Sequence, residues 1–158
     1  MKSDIRRALA TDVEELVDLC LMVERQHEAY LPLRWGLRTD IRQRFLYWAN
    51  ANLNSPDWLF AVAVDNGQTV GAAVAAITPE IPIYAYERYA FIHDLAVAAS
   101  HRRRGIATQL LTYCRQWATQ TGVNQLRLLV ADQNSPAAAA FVRFGFKTTC
   151  HEMIVPLP

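Results

Sequence analysis

Three features are scarce or missing in this 158-residue chain, and each absence closes off a class of function. Cysteine occurs only at Cys20, Cys114 and Cys150, an odd number without a CxxC spacing. That argues against a disulfide framework and for reduced thiols in a cytoplasmic protein, packed as small core residues. A charge excess of either sign is also missing: 16 Lys+Arg stand against 15 Asp+Glu, for a net charge of +1. A dedicated nucleic-acid binder carries a basic excess, so no nucleic-acid partner is expected. The histidines His27, His93, His101 and His151 have no metal-ligand spacing, so no metal is expected. Long apolar runs are the third absence. The longest, Thr69 to Ile77, falls far short of the roughly 18 residues a membrane span requires, so no membrane partner is expected. The opening MKSDIRRALATD carries charges where an export signal would be apolar.

What is present is a core. With 52% hydrophobic residues the chain reads as one globular domain over residues 1–158, without repeats, linkers or low-complexity tracts. Ile5 to Ala8 reads as a short strand. Thr11 and Glu14 match a capping box, followed by Val13, Leu16, Val17, Cys20 and Val23 at helical spacing, which predicts a helix to about Ala29. Tyr30 to Leu37, with Pro32 and Gly36, reads as a loop. A second helix follows, capped by Thr39 or Asp40, with Ile41, Phe45, Trp48 and Ala49 on one face. Trp58 to Val64 and Thr69 to Ile77 read as strands joined by an Asp65-Asn66-Gly67 hairpin turn. Beyond a proline-broken loop from Thr78 to Arg88, Tyr89 to Val97 is a further strand. Gly105 to Thr121 is a helix, Gln125 to Ala131 a strand, and Ala137 to Phe144 a helix that starts at Ser135-Pro136 and stops at Gly145. Thr148 to Val155 is expected as a last strand. This order predicts an α/β (α+β) three-layer domain, with one central mixed β-sheet flanked by helices.

The most informative stretch is Ile92-His93-Asp94-Leu95-Ala96-Val97, followed after Ala98 to His101 by Arg102-Arg103-Arg104-Gly105-Ile106-Ala107. A buried strand ends, and a basic loop with small residues at 105 and 107 opens a helix. The first turn of a helix presents unpaired N–H groups and a partial positive charge, which suit a phosphate or pyrophosphate. The loop is neither a Walker loop nor a GxGxxG turn. Alone, Arg102 to Arg104 would equally be a solvated charge run. A second block stands downstream: Asn134, Ala137, Phe141, then Phe144-Gly145-Phe146. Alone, it reads as a capped helix with a glycine stop.

Together the two blocks resemble the GNAT superfamily of acetyl-CoA-dependent N-acetyltransferases. Arg102, Gly105 and Ala107 match its [Q/R]xxGx[G/A] phosphate signature, and Asn134, Ala137 and Gly145-Phe146 match its downstream N-x-x-A…GF block. The resemblance spans about residues 3–157 and is specific over 91–146. It implies a GNAT-like fold and transfer of an acetyl group from acetyl-CoA to a primary amine, a small molecule or a peptide or protein amine, by direct attack. A homodimer is compatible with it. It also implies roles for residues. Leu95, Ala96 and Val97 lend backbone groups to the pantetheine arm and the acyl oxygen. Arg102, Arg103, Arg104, Gly105, Ile106, Ala107 and Thr108 cradle the pyrophosphate. Asn134 and Phe141 line the other arm.

An attacking amine must be neutral, so a base is needed. His93 is the first candidate, since an imidazole titrates near neutrality. By simple alternation it shares a face with Leu95, and Asp94 points the other way; a bulge would change that parity. Asp94 is therefore the reserve, and a half-buried structural role for His93 stays open. Phe141 departs from the family, many of whose members carry there a tyrosine that protonates the departing thiolate. That departure motivates the alternative of a non-catalytic CoA-binding module. Arg103 departs too, standing where glycine is common. The resemblance implies that the acceptor is held by Gln26 to Arg38, Thr78 to Arg88 and Cys150 to Val155. Near and within these segments, the carboxylates Glu24, Glu28, Glu80, Glu87 and Glu152 and the aromatics Tyr30, Trp35, Tyr84 and Tyr86 suit a cationic amine or a peptide N-terminus, or equally serve as ordinary surface residues.

Overall fold

The computed structural model describes residues 3–157. Its strands are β1 (Asp4–Arg7), β2 (Trp58–Asp65), β3 (Gln68–Pro79), β4 (Arg88–Val97) and β5 (Leu126–Leu128). Its helices are α1 (Val13–Tyr30), α2 (Pro32–Trp35), α3 (Ile41–Asn52), α4 (Ile106–Gln120) and α5 (Ser135–Phe144). The sheet runs in the order β1-β2-β3-β4-β5. Its first three pairings are antiparallel and β4–β5 is parallel. The mixed sheet follows from the connections: a tight hairpin joins β2 to β3, whereas α4 carries the chain across from β4 to β5.

Each face of the sheet buries one set of side chains. Val13, Leu16, Val17, Cys20 and Leu21 of α1 and Ala49 of α3 pack on Phe60, Val62, Ala72 and Val74. Ile106, Leu110, Leu111, Cys114 and Ala118 of α4 pack on Ala61, Ala63, Ala73 and Ala75, with Phe141 and Phe144 of α5 beside them. The alanines of β3 are explained by this double cover, since small side chains let helices approach both faces. At Gly71 the approach is closest: a Cβ there would stand 3.0 Å from Ile106 Cγ2 and 3.1 Å from Leu110 Cδ1. The first turns of α4 are thereby seated against the sheet.

Several expectations are corrected. Thr11 does not cap α1; the carboxylate of Asp12 accepts the Leu9 N–H at 2.7 Å and is held by Arg6 at 2.6 Å, so a 3₁₀ turn from Ala10 to Asp12 precedes the helix. The expected loop after α1 contains the short helix α2, which Pro32 can open because its missing N–H has no partner to lose there. β3 runs on through Thr78 and Pro79, and β4 begins at Arg88. β5 is shorter than expected, and the last strand over Thr148 to Val155 does not form. A strand needs an edge to pair with. β5 offers only Leu126–Leu128 before the chain turns away, and residues 147–157 lie exposed without regular structure.

Candidate active site

β4 and β5 pair as Ala90–Leu126, Phe91–Arg127 and Ile92–Leu128, and then part. From His93 to Val97 the edge of β4 on that side has no strand against it. Beyond this opening the chain makes a 3₁₀ turn, Ala99–His101, and enters the arginine loop. Arg103 has φ 65° and Gly105, the N-cap of α4, has φ 79°. These two left-handed residues turn the chain so that α4 starts at Ile106 with its N-terminus at the mouth of the opening. No acidic residue lies in the first turn of α4. Among the described residues, no backbone bond to another part of the protein satisfies the N–H groups of Arg103 to Thr108. A Cβ at Gly105 would meet nothing within 4 Å. The residues present therefore form an open, donor-rich cradle of the kind an anion fills. Ile106 is buried beneath it; Arg103, Arg104 and Thr108 are exposed, and Arg102 donates from Nε to the Val97 carbonyl at 3.2 Å.

β4 is irregular opposite β3. Val74 pairs with Asp94 and the next residue, Ala75, with Ile92, so His93 is an extra residue. This bulge overturns the parity expected from alternation. Leu95 and Val97 pack with the α4-side core. His93 lies on the other side, its ring 5.3 Å from that of Trp58 and 4.9 Å from that of Phe91. His93 and Leu95 thus do not share a face. The His93 ring remains exposed to an incoming molecule at the level where β4 and β5 part. Partial burial against the two aromatics holds its pKa below the ordinary imidazole value, which favours the neutral ring.

The same bulge turns Asp94 toward α1. Asp94 is 7% exposed, and its Oδ1 has no hydrogen-bond partner among the described residues. Burial first, then the charge and side chain of Glu24, push its carboxyl up to about 8. The sequence presents Glu24 only as a carboxylate near the segments expected to hold the acceptor. Its partnership with Asp94 had a visible signal, because Glu24 continues the i, i+4 stripe of Leu16 and Cys20 onto the sheet-facing side of α1. Glu24 also lies 3.9 Å from His27, whose ring stacks on Trp35 at 5.3 Å. The Cys20 and Cys114 thiols are pushed up by burial, Cys114 to about 12, and both are inert core groups.

On the far wall, Asn134 caps α5, its Oδ1 accepting the Ala137 N–H at 3.4 Å. That side-chain oxygen is committed to the helix. Phe141 is half-buried, its ring 5.9 Å from Phe146. Beside β5, Arg127 binds Glu80 at 2.6 Å and lies 3.7 Å over the Tyr89 ring, next to a cleft that Tyr84, Tyr86 and Gln125 also line. Arg34 and Glu152 pair and tie the C-terminal segment to α2. Among the described residues, no group of three or more His, Cys, Asp or Glu is arranged to hold a metal ion. Among the described residues, no helix is long and apolar enough to cross a membrane.

Residues 15–146 match the sequence model of the acetyltransferase (GNAT) family. The chain is 40% identical over 60 residues to GCN5-related N-acetyltransferase 6, chloroplastic, of Arabidopsis thaliana; the match covers 38% of this chain and 21% of that protein. The matched stretches span less than a third of the curated relatives' length. Among solved structures, a mutant of the BH1408 protein of Bacillus halodurans superimposes with a TM-score of 0.83 at 24% identity, covering 98% of this chain and 99% of that one. A predicted acetyltransferase with acetyl-CoA from Clostridium acetobutylicum superimposes with a TM-score of 0.76 at 19% identity, covering 98% and 96%.

Proposed function

Since the chain belongs to the acetyltransferase (GNAT) family, we propose that it moves an acetyl group from acetyl-CoA to a primary amine by direct attack. The observation that carries this reading is the parting of β4 and β5 beside the arginine-flanked N-terminus of α4. Bound there, acetyl-CoA supplies the acetyl group as a thioester, an acyl donor open to an amine. The backbone N–H groups from Arg103 to Thr108 receive the pyrophosphate, and Arg102 to Arg104 add long-range attraction. The free edge of β4 at Leu95, Ala96 and Val97 offers backbone groups to an extended arm, with an N–H near Leu95 or Ala96 donating to the acyl oxygen. Asn134 and Phe141 form the opposite wall.

His93 takes the amine's proton. Two features favour it over Asp94: His93 is exposed where the strands part, and its partial burial lowers its pKa and so favours the neutral imidazole. Asp94 is buried and holds its own proton up to about pH 8. The acceptor is a primary amine, small or peptidic, approaching past α1 and the Thr78 to Arg88 segment. Release of CoA from acetyl-CoA, followed across a panel of amines, tests the proposal. A non-catalytic CoA-binding module is the second reading, favoured by Phe141, which has no proton to give to a leaving thiolate. CoA binding without CoA release under any amine would select it.

A further inference from the structure

The arginine loop is a costly shape to hold before a ligand arrives. It holds Arg103, a residue with a Cβ, in the left-handed region and sets three positive charges side by side. Its entry is fastened to the hairpin between β2 and β3. The Ala98 N–H donates to the Val70 carbonyl at 2.9 Å. One residue before Arg102, the imidazole of His101 has a partner on each side: Nδ1 is hydrogen-bonded to Ser100 Oγ at 2.9 Å, and Nε2 lies within ion-pair distance of Asp65 Oδ2 at 3.4 Å. Asp65 ends β2 at the hairpin turn, 36 residues earlier in sequence. Both partners are well shielded, with side chains 20% and 18% exposed. With its proton on Nε2, the ring presents an N–H on the side of the Asp65 carboxylate and lets Nδ1 accept the Ser100 hydroxyl, so one tautomer suits both neighbours.

We propose that Asp65, His101 and Ser100 form a latch that holds the arginine loop in its anion-receiving shape, making His101 and Asp65 positioning residues for the acyl donor. The proposal rests on the reading of that loop as the CoA site. The latch acts by preorganisation: without it the loop samples other shapes, and the apparent affinity falls by the fraction of time the competent shape is lost.

The sign of one effect separates this from simple electrostatics. Asp65 is a negative charge close to an anion site. Were it only that, Asp65→Ala would tighten CoA binding. The latch requires the opposite.

The experiment measures CoA affinity by calorimetry for wild type, Asp65→Ala, His101→Ala, the double variant and His101→Gln, whose side-chain amide can still donate toward Asp65. Amide hydrogen exchange of residues 98–105 is followed in the same ligand-free proteins. The expected result is a loss of affinity of roughly five- to thirty-fold in each alanine variant. The double variant is no worse than either single one, and His101→Gln recovers part of the loss. KM for acetyl-CoA rises with kcat little changed, and exchange across 98–105 quickens. Tighter binding by Asp65→Ala, additive losses, or unchanged exchange in both alanine variants overturns the latch. If wild type binds no CoA, the cofactor reading fails, and the exchange data alone decide whether the latch exists.

Discussion

Asp94 of β4 and Glu24 of α1 meet carboxyl to carboxyl, with Asp94 the buried member of the pair. An unfolded aspartate titrates near ~3.9, whereas burial and Glu24 push folded Asp94 up to about 8. Its folded pKa is raised, so its contribution to stability is fully present below the unfolded value and is lost as pH rises through the folded one. Asp94→Asn removes that dependence. In urea denaturation the variant's stability relative to wild type should climb between about pH 4 and pH 8 and level off above, by on the order of a few kcal/mol. An unchanged difference between pH 5 and pH 8.5 would show that Asp94 does not hold a proton in the folded state.

His93→Ala should lower kcat/KM by roughly ten- to a thousand-fold near pH 7, with a smaller loss at high pH, where the amine deprotonates itself. Acetyl-CoA binding should be little affected, because the ring packs on Trp58 and Phe91, away from the arginine loop. If Asp94→Asn shows the pH-dependent loss and His93→Ala does not, the base is Asp94.

Phe141→Tyr should retain or raise turnover, since a phenol there can protonate a leaving thiolate and the added hydroxyl suits a half-buried position. A ring found more than roughly 8 Å from the sulfur of bound CoA, well beyond hydrogen-bond reach, removes the basis for this expectation.

Arg103 adopts φ 65°, a region that favours glycine. Arg103→Gly and Arg103→Ala delete the same charge, but only glycine relieves the backbone. The glycine variant should be the more stable of the two by about 1 kcal/mol in thermal or urea unfolding. Equal stabilities would mean that residue 103 is not held in this conformation.

Helices α4 and α5 and the arginine loop between β4 and α4 were legible because local chemistry specifies them. The Ile106, Leu110, Leu111, Cys114 stripe and Gly105 announce α4 and its start, and Asn134 with Pro136 announces α5. What depended on distant partners was not legible. The bulge at His93 is fixed by the register against Val74 and Ala75, and it alone decides that Asp94 faces Glu24 and that His93 and Leu95 part company. The Thr148 to Val155 segment has strand-like residues, but β5 stops at Leu128 and leaves them no edge. The Asp65–His101 contact joins residues far apart in the chain and has no local signature.

The account stands most directly on the arginine loop as the seat of CoA, and calorimetric titration of CoA into wild type and Gly105→Glu tests it. The glutamate would place a carboxylate in the open space at the N-terminus of α4, where the anion belongs. Melting curves of both ligand-free proteins confirm that the variant is folded at the titration temperature. The predicted result is saturable binding by wild type, with a ligand-dependent rise in its melting temperature, and loss of both in the folded variant. Binding of CoA by folded Gly105→Glu as tight as by wild type would contradict the assignment.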